Sequence, residues 1–219
     1  MPGPRAAARW TSTPDELLSN PDIAKLALTL AEHPGQEIVP DASSRWAAIA
    51  MILRAGADGL PELLMIKRAE AEQDPWSGHV ACPGGRMDPG DHDLKQTAIR
   101  ETWEETGVDL LRDGRILGTL DDITPRTPRL PPLIIRPFVA IVRRDVALIQ
   151  SEEVADVFWV PLSAIRSKTS WGKGVVDIRT VGPVEVDVFR HGPHTVWGLT
   201  HRALTQFVQY LGEIADEAE

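Results

Sequence analysis

Apolar residues change spacing along this chain, and each change marks an element. Between Thr13-Pro14-Asp15, a helix start signal, and a stop at Pro34-Gly35, the residues Leu17, Ile23, Leu26, Leu28 and Leu30 supply the apolar positions of a helix. From residue 45 the pattern turns β-like. Trp46–Leu53 and Leu63–Ile66 flank Ala57-Asp58-Gly59, a hairpin signal although the loop is longer than two residues. Val80–Cys82 runs into a Pro83-Gly84-Gly85 turn. Further strand-like runs are Ile116–Leu120, Leu133–Val142, Val157–Val160, Val175–Ile178 and Val184–Phe189. From Gly198 to about Ala215 the helical spacing returns, with Leu199, Ala203, Leu204, Phe207, Val208, Leu211 and Ile214 on one side. No internal repeat is visible. Strands on either side of one mid-chain helix, then a closing helix, predict an α/β sandwich with a mixed sheet between helices.

The mid-chain helix carries the chemistry. Within Arg100-Glu101-Thr102-Trp103-Glu104-Glu105-Thr106-Gly107-Val108, the residues Glu101, Glu104 and Glu105 stand at i, i+3 and i+4 and share one face. Ile99 and Trp103 fall opposite, where a core would take them. Like charges at this spacing cost a helix roughly 0.2–0.5 kcal/mol per pair unless a cation offsets them. Hard divalent ions bind through carboxylate oxygens and keep their other positions for water and phosphate. A solvated acidic face is the alternative for such a string taken alone.

Composition narrows the picture less. The 219 residues are 42% hydrophobic and 25% charged, ordinary for a soluble globular chain long enough to bury a core. A net charge of −9 argues against general nucleic-acid binding, but not against a small anion met by local arginines and a metal. The single cysteine, Cys82, allows no internal disulfide and reads as a small core residue in a reducing compartment. No segment reaches the roughly 18 apolar residues of a membrane span, so a cytoplasmic protein is expected.

The flanks of the acidic helix resemble the Nudix box: a glycine, five residues, an acid, seven residues, then R-E-U-x-E-E-x-G-U, where U is aliphatic. Here Gly85 is followed by five residues and Asp91, then by eight residues and Arg100. Asp replaces the usual Glu, one extra residue sits in the connecting segment, and Thr102 fills the first aliphatic slot. The resemblance implies a Nudix-type α/β/α sandwich over residues 45–219, with residues 1–44 as an N-terminal helical extension. That extension suits a cap, a dimer element or an accessory to the site.

The resemblance extends to the coenzyme A pyrophosphatase branch of that family. Gly78-His79-Val80-Ala81-Cys82-Pro83-Gly84-Gly85 stands where the branch has G-Q-V-A-F-P-G-G. Asp88 to Asp91, Thr97 to Thr102, Arg136-Pro137-Phe138-Val139, Ser151-Glu152-Glu153-Val154, Phe158 to Leu162 and Val196 to Thr200 match its later segments. Upstream the chain departs: Trp76 holds a histidine place, Arg68 is one residue too far away, and His79 replaces a glutamine.

What the resemblance implies is a metal-dependent pyrophosphohydrolase using Mg²⁺ or Mn²⁺ on a small nucleoside-diphosphate derivative, with coenzyme A or an acyl-CoA leading. ADP-ribose, a dinucleotide or an oxidised nucleotide is the alternative substrate, and a non-catalytic nucleotide-sensing or protein-binding module the alternative class. Carried over, Glu101 and Glu105 are metal ligands, Glu104 a third or water-mediated ligand, and the Gly85 carbonyl completes the sphere. Arg100 partners a box carboxylate and Asp91 orders the loop. The general base is Glu153, with Glu152 or a box glutamate such as Glu104 as alternatives. Arg126 and Arg129, on the stiff loop Thr124 to Pro132, are candidates for a phosphate clamp, though a surface polyproline segment fits that loop equally. His191 and His194, beside Gly192-Pro193, read as turn residues without zinc spacing. Trp76, Trp171 and Trp197 suit either core or adenine stacking. A homodimer is compatible with all of this.

Overall fold

Asn20, not Thr13, starts the first long helix. In the computed structural model, which describes residues 12–41, 43–71, 76–125, 132–178 and 181–212, Thr13 opens a single 3-10 segment, Pro14–Ser19, with the Glu16 carboxylate accepting from the Thr13 N–H at 3.1 Å. Helix α1 (Pro21–Glu32) follows, its first two orphan N–H groups satisfied by the Asn20 side chain. Its buried stripe is Ile23, Leu26 and Leu30, spaced three and four. Leu28 falls off that stripe and is 64% exposed, against the helical pattern read from the chain.

The strands then come in the order β1 (Arg45–Ala55), β2 (Pro61–Arg68), β3 (Val80–Ala81) and β4 (Gly84–Arg86), before helix α2 (Leu94–Thr106). After it come β5 (Gly114–Thr119), β6 (Leu133–Val142), β7 (Val154–Pro161), the short helix α3 (Leu162–Arg166), β8 (Trp171–Ile178), β9 (Gly182–His191), β10 (His194–Trp197) and α4 (Gly198–Tyr210). The main sheet runs β3-β2-β1-β6-β5, with β4 added to β1 and β7 to β2. It is mixed, since β1 and β6 are parallel while β1–β2, β2–β7 and β5–β6 are antiparallel.

The period-2 alternation of β1 decides which helix lies on which face. Met51 and Leu53 meet Ile23, Leu26 and Leu30 of α1 together with Leu204 and Phe207 of α4. Ala48, one step out of phase, meets Leu94 and Ala98 of α2. The result is the helix–sheet–helix sandwich expected from the chain. The extension's helix is built into the same core. Among the described residues, no helix is long and apolar enough to cross a membrane.

Three features differ from the reading of the sequence. Pro83-Gly84-Gly85 is not simply a turn, because Gly84–Arg86 pairs with β1 as a strand. At Gly84 (φ 151°) a Cβ would sit 2.3 Å from the Ala48 carbonyl oxygen, so only glycine permits this approach. Strand β10 and helix α3 were not foreseen. His191 and His194 are strand ends that pair with each other across the β9–β10 hairpin, and His194 stacks on Phe158 with ring centroids 3.7 Å apart.

Candidate active site

Helix α2 is fixed at both ends. The Asp93 side chain accepts from the Gln96 N–H at 2.7 Å, and Gly107 closes the helix in the left-handed conformation at φ 71°. Its buried residues include Leu94, Ala98, Thr102 and Glu105, so the sheet takes the carboxylate-bearing side of the helix. Trp103 therefore faces water at 59% exposure, overturning its expected place in the core. Ile99 packs partly buried against Ala50 and Ile52, as expected.

The three glutamates, one face on a helical wheel, divide by depth. Glu105 is 2% exposed. It accepts from the Gly84 N–H at 2.8 Å and lies 3.5 Å from the Arg68 guanidinium. Burial, with the charges of Glu101 and Glu153 behind it, pushes its carboxyl up to about 8. Glu101 is raised too, mainly by burial and against the pull of Arg100. Its carboxyl occupies the space where a Cβ on Gly85 would stand, 2.5 Å away, so any larger residue there would displace the Glu101 carboxylate. Glu104 is exposed and reaches Arg100 at 3.0 Å.

Arg100 binds the loop to the helix. Its guanidinium donates to both oxygens of Asp91 (3.0 and 2.8 Å), to Glu101 (2.9 Å), to Glu104 (3.0 Å) and to the Arg86 carbonyl (3.0 Å). Asp91, buried, also accepts from the Thr97 hydroxyl and the Asp88 N–H. Arg100 holds its carboxyl well below the usual carboxylate range. Glu153 immediately precedes β7, with its carbonyl accepting from the Ala69 N–H at 2.9 Å. It is near enough to Glu101 and Glu105 to raise both, whereas Glu152 is not among the charges that do so. Arg126 and Arg129 lie outside the described residues.

Glu101 and Glu105 fit a divalent cation by donor chemistry. They are hard oxygen donors brought together beside backbone glycines, and each is pushed toward protonation, chiefly by burial and against the pull of a neighbouring arginine. Among the described residues no three acidic, imidazole or thiol side chains are gathered into a cage. Glu104, the more exposed of the three, shares the Arg100 Nη1 with Glu101 and reaches the pair from its solvent side. The reading of the chain also passed over two partners of Glu105, the Gly84 N–H and Arg68. The signal for Arg68 was its place at the end of β2, directly after Lys67.

A pH effect on stability follows from the raised carboxyl. In metal-free protein a folded-state value of about 8 above the ordinary 4.5 means stability that is complete below 4.5 and declines as pH rises through about 8. The thermal midpoint should fall across that window in the presence of chelator. Glu105→Gln should flatten the fall, and an equally steep fall in that variant would assign it to other groups.

This sandwich, with a carboxylate-bearing helix docked against a Gly-Gly strand, defines a class of metal-assisted phosphoanhydride hydrolases. The chain belongs to the Nudix family and is a Nudix hydrolase: the NUDIX domain model matches residues 44–177. It is 31% identical over 168 residues to the mitochondrial coenzyme A diphosphatase of Homo sapiens, covering 75% of this chain and 69% of that protein. An uncharacterized protein of Schizosaccharomyces pombe is 34% identical over 145 residues, which is 58% of this chain and 44% of the relative, so the match spans less than half of that protein. Among solved structures, the MutT/nudix family protein from Enterococcus faecalis aligns over 93% of this chain and 75% of its own, with a TM-score of 0.53 and 17% identity. That likeness concerns the fold alone.

Proposed function

We propose that this chain hydrolyses the diphosphate of coenzyme A or an acyl-CoA, giving 3′,5′-ADP and (acyl-)4′-phosphopantetheine. The observation that carries the reaction is the pair of buried Glu105 and half-buried Glu101 against Gly84-Gly85. The substrate is supported by the similarity to a coenzyme A diphosphatase. Divalent cations serve the family generally, and we assign Mg²⁺ or Mn²⁺ here, held by Glu101 and Glu105 with the Gly85 carbonyl and, through water, Glu104. When bound, the cation neutralises diphosphate charge and lowers the pKa of a water.

Everything else falls to side chains of this chain. Arg100 keeps Glu101 in place while anchoring the loop through Asp91. Glu153 takes the proton of the attacking water. The water oxygen bonds to one phosphorus, and the bridging oxygen leaves with the other phosphate. Arg126 and Arg129 are the proposed clamp for the 3′-phosphate. We treat residues 45–219 as the hydrolase domain, residues 1–44 as its extension, and the cytoplasm as its setting.

The test is a substrate panel with Mg²⁺ or Mn²⁺ and products identified by mass spectrometry. The 3′-phosphate adds charge and acceptor oxygens that arginines grip well. Coenzyme A should therefore be cleaved faster than its 3′-dephospho form, and replacing Arg126 and Arg129 by alanine should shrink the difference. Equal rates, or faster cleavage of ADP-ribose, would sink the coenzyme A assignment and leave the Nudix reaction standing. No metal-dependent turnover of any diphosphate would favour a sensing or binding module.

A further inference from the structure

Arg86 ends the glycine strand, and its charge is not spent on a carboxylate among the described residues. Arg100 is shared among Asp91, Glu101 and Glu104, Arg68 faces Glu105, and Arg136 is paired with Asp122 and Glu37. Among the described residues Arg86 has no carboxylate partner. Its guanidinium stands over the ring of Trp76, 5.8 Å from the centroid. Trp76 is backed by Ala47, Leu133 and Ile135.

The position of this pair follows from the register of β4. Gly85 is paired with Ala48, on the α2 face, where its α-carbon meets the Glu101 carboxyl. Arg86, one residue on, is paired with Ala47 and points to the opposite face, where Trp76 lies. Among the described strands β4 pairs only with β1, and on its other edge the Gly84 N–H is taken by Glu105 and the Arg86 carbonyl by Arg100, so side chains of α2 line that edge in place of a strand. A ligand laid across that edge meets carboxylates on one side and a guanidinium over an indole on the other. The Arg86 backbone is itself held to the box, because its carbonyl accepts from Arg100.

We propose that Trp76 and Arg86 form the nucleotide subsite, with Trp76 stacking the purine of a nucleoside 5′-diphosphate and Arg86 holding a phosphate oxygen at the strand edge. The assignment rests on the diphosphate-hydrolase reading but not on coenzyme A. An indole face suits any base, and a guanidinium adds both stacking and charge.

Calorimetry with ADP and with inorganic pyrophosphate, Mg²⁺ present, separates base from phosphate. Trp76→Leu keeps an apolar filler and should weaken ADP about tenfold or more with pyrophosphate unchanged, while Trp76→Phe should stay within about threefold of wild type. Arg86→Gln should weaken both ligands. Thermal melting confirms that each variant is folded. The assignment is overturned if wild type does not bind ADP, if folded Trp76→Leu binds it as wild type does, or if its loss extends equally to pyrophosphate. Retained pyrophosphate affinity in Arg86→Gln overturns the role of Arg86. Trp76-dependent ADP binding in a protein that does not cleave coenzyme A would defeat the coenzyme A reading alone.

Discussion

Glu105→Gln is expected to lower turnover by three orders of magnitude or so while the protein stays folded. The amide oxygen can still accept from the Gly84 N–H, which is 2.8 Å from the carboxylate in the native protein. Volume is conserved, so no cavity opens beneath α2. What disappears is the negative charge that burial and its neighbours make costly and that a bound cation would need. Loss of one well-placed electrostatic stabiliser commonly costs about 10²–10³ in kcat, and weaker metal binding adds to that. Steady-state rates across a Mn²⁺ titration, with melting curves at pH 8, provide the check. The variant should melt at least as high as wild type without metal. Near-normal rates with an unchanged metal requirement would remove Glu105 from the site.

How far the chain could be read before its structure was known depended on whether each signal was local. Strand β6 was legible end to end as Leu133–Val142, since two apolar runs interrupted only by Arg136-Pro137 have few other uses. The closing helix was legible through its apolar stripe, where Ala203, Leu204, Phe207, Val208 and Leu211 are buried. The depth of α2 was not. A helical wheel groups Glu101, Glu104 and Glu105 but is silent on which side the sheet takes, and chemistry overrode hydrophobicity when Glu105 went in and Trp103 stayed out. Strand β4 was hidden because Gly84-Gly85 lacks side chains to announce a strand, and its register on Ala48 and Ile49 exists only in three dimensions. Strand β10, four residues long, forms because β9 lies beside it. For the site, residue types at box spacing were readable. The network through which Arg100 joins Asp91, Glu101, Glu104 and the Arg86 carbonyl reaches in sequence from Arg86 to Glu104, and only the folded loop displays it.

The assignment of the base turns on two adjacent glutamates, which the fold treats differently. Glu153 is tied at its backbone to Ala69, directly after β2, and its charge is felt by both Glu101 and Glu105. Both are exposed, but Glu152 is not among the charges felt by that pair. Were Glu101 and Glu105 to hold the cation, a carboxylate whose charge reaches both would be suited to take the proton of a water bound there. If Glu153 is that base, Glu153→Gln should lower kcat by roughly 10²–10⁴-fold with little change in KM, because the amide keeps shape and loses only basicity. Glu152→Gln should remain within about tenfold of wild type, as expected of an exposed acid outside the reacting set. An inactive Glu152→Gln beside an active Glu153→Gln would move the role one residue back. If both variants turn over normally, the proton must go to a box glutamate, and Glu104, exposed and paired with Arg100, becomes the residue to replace next.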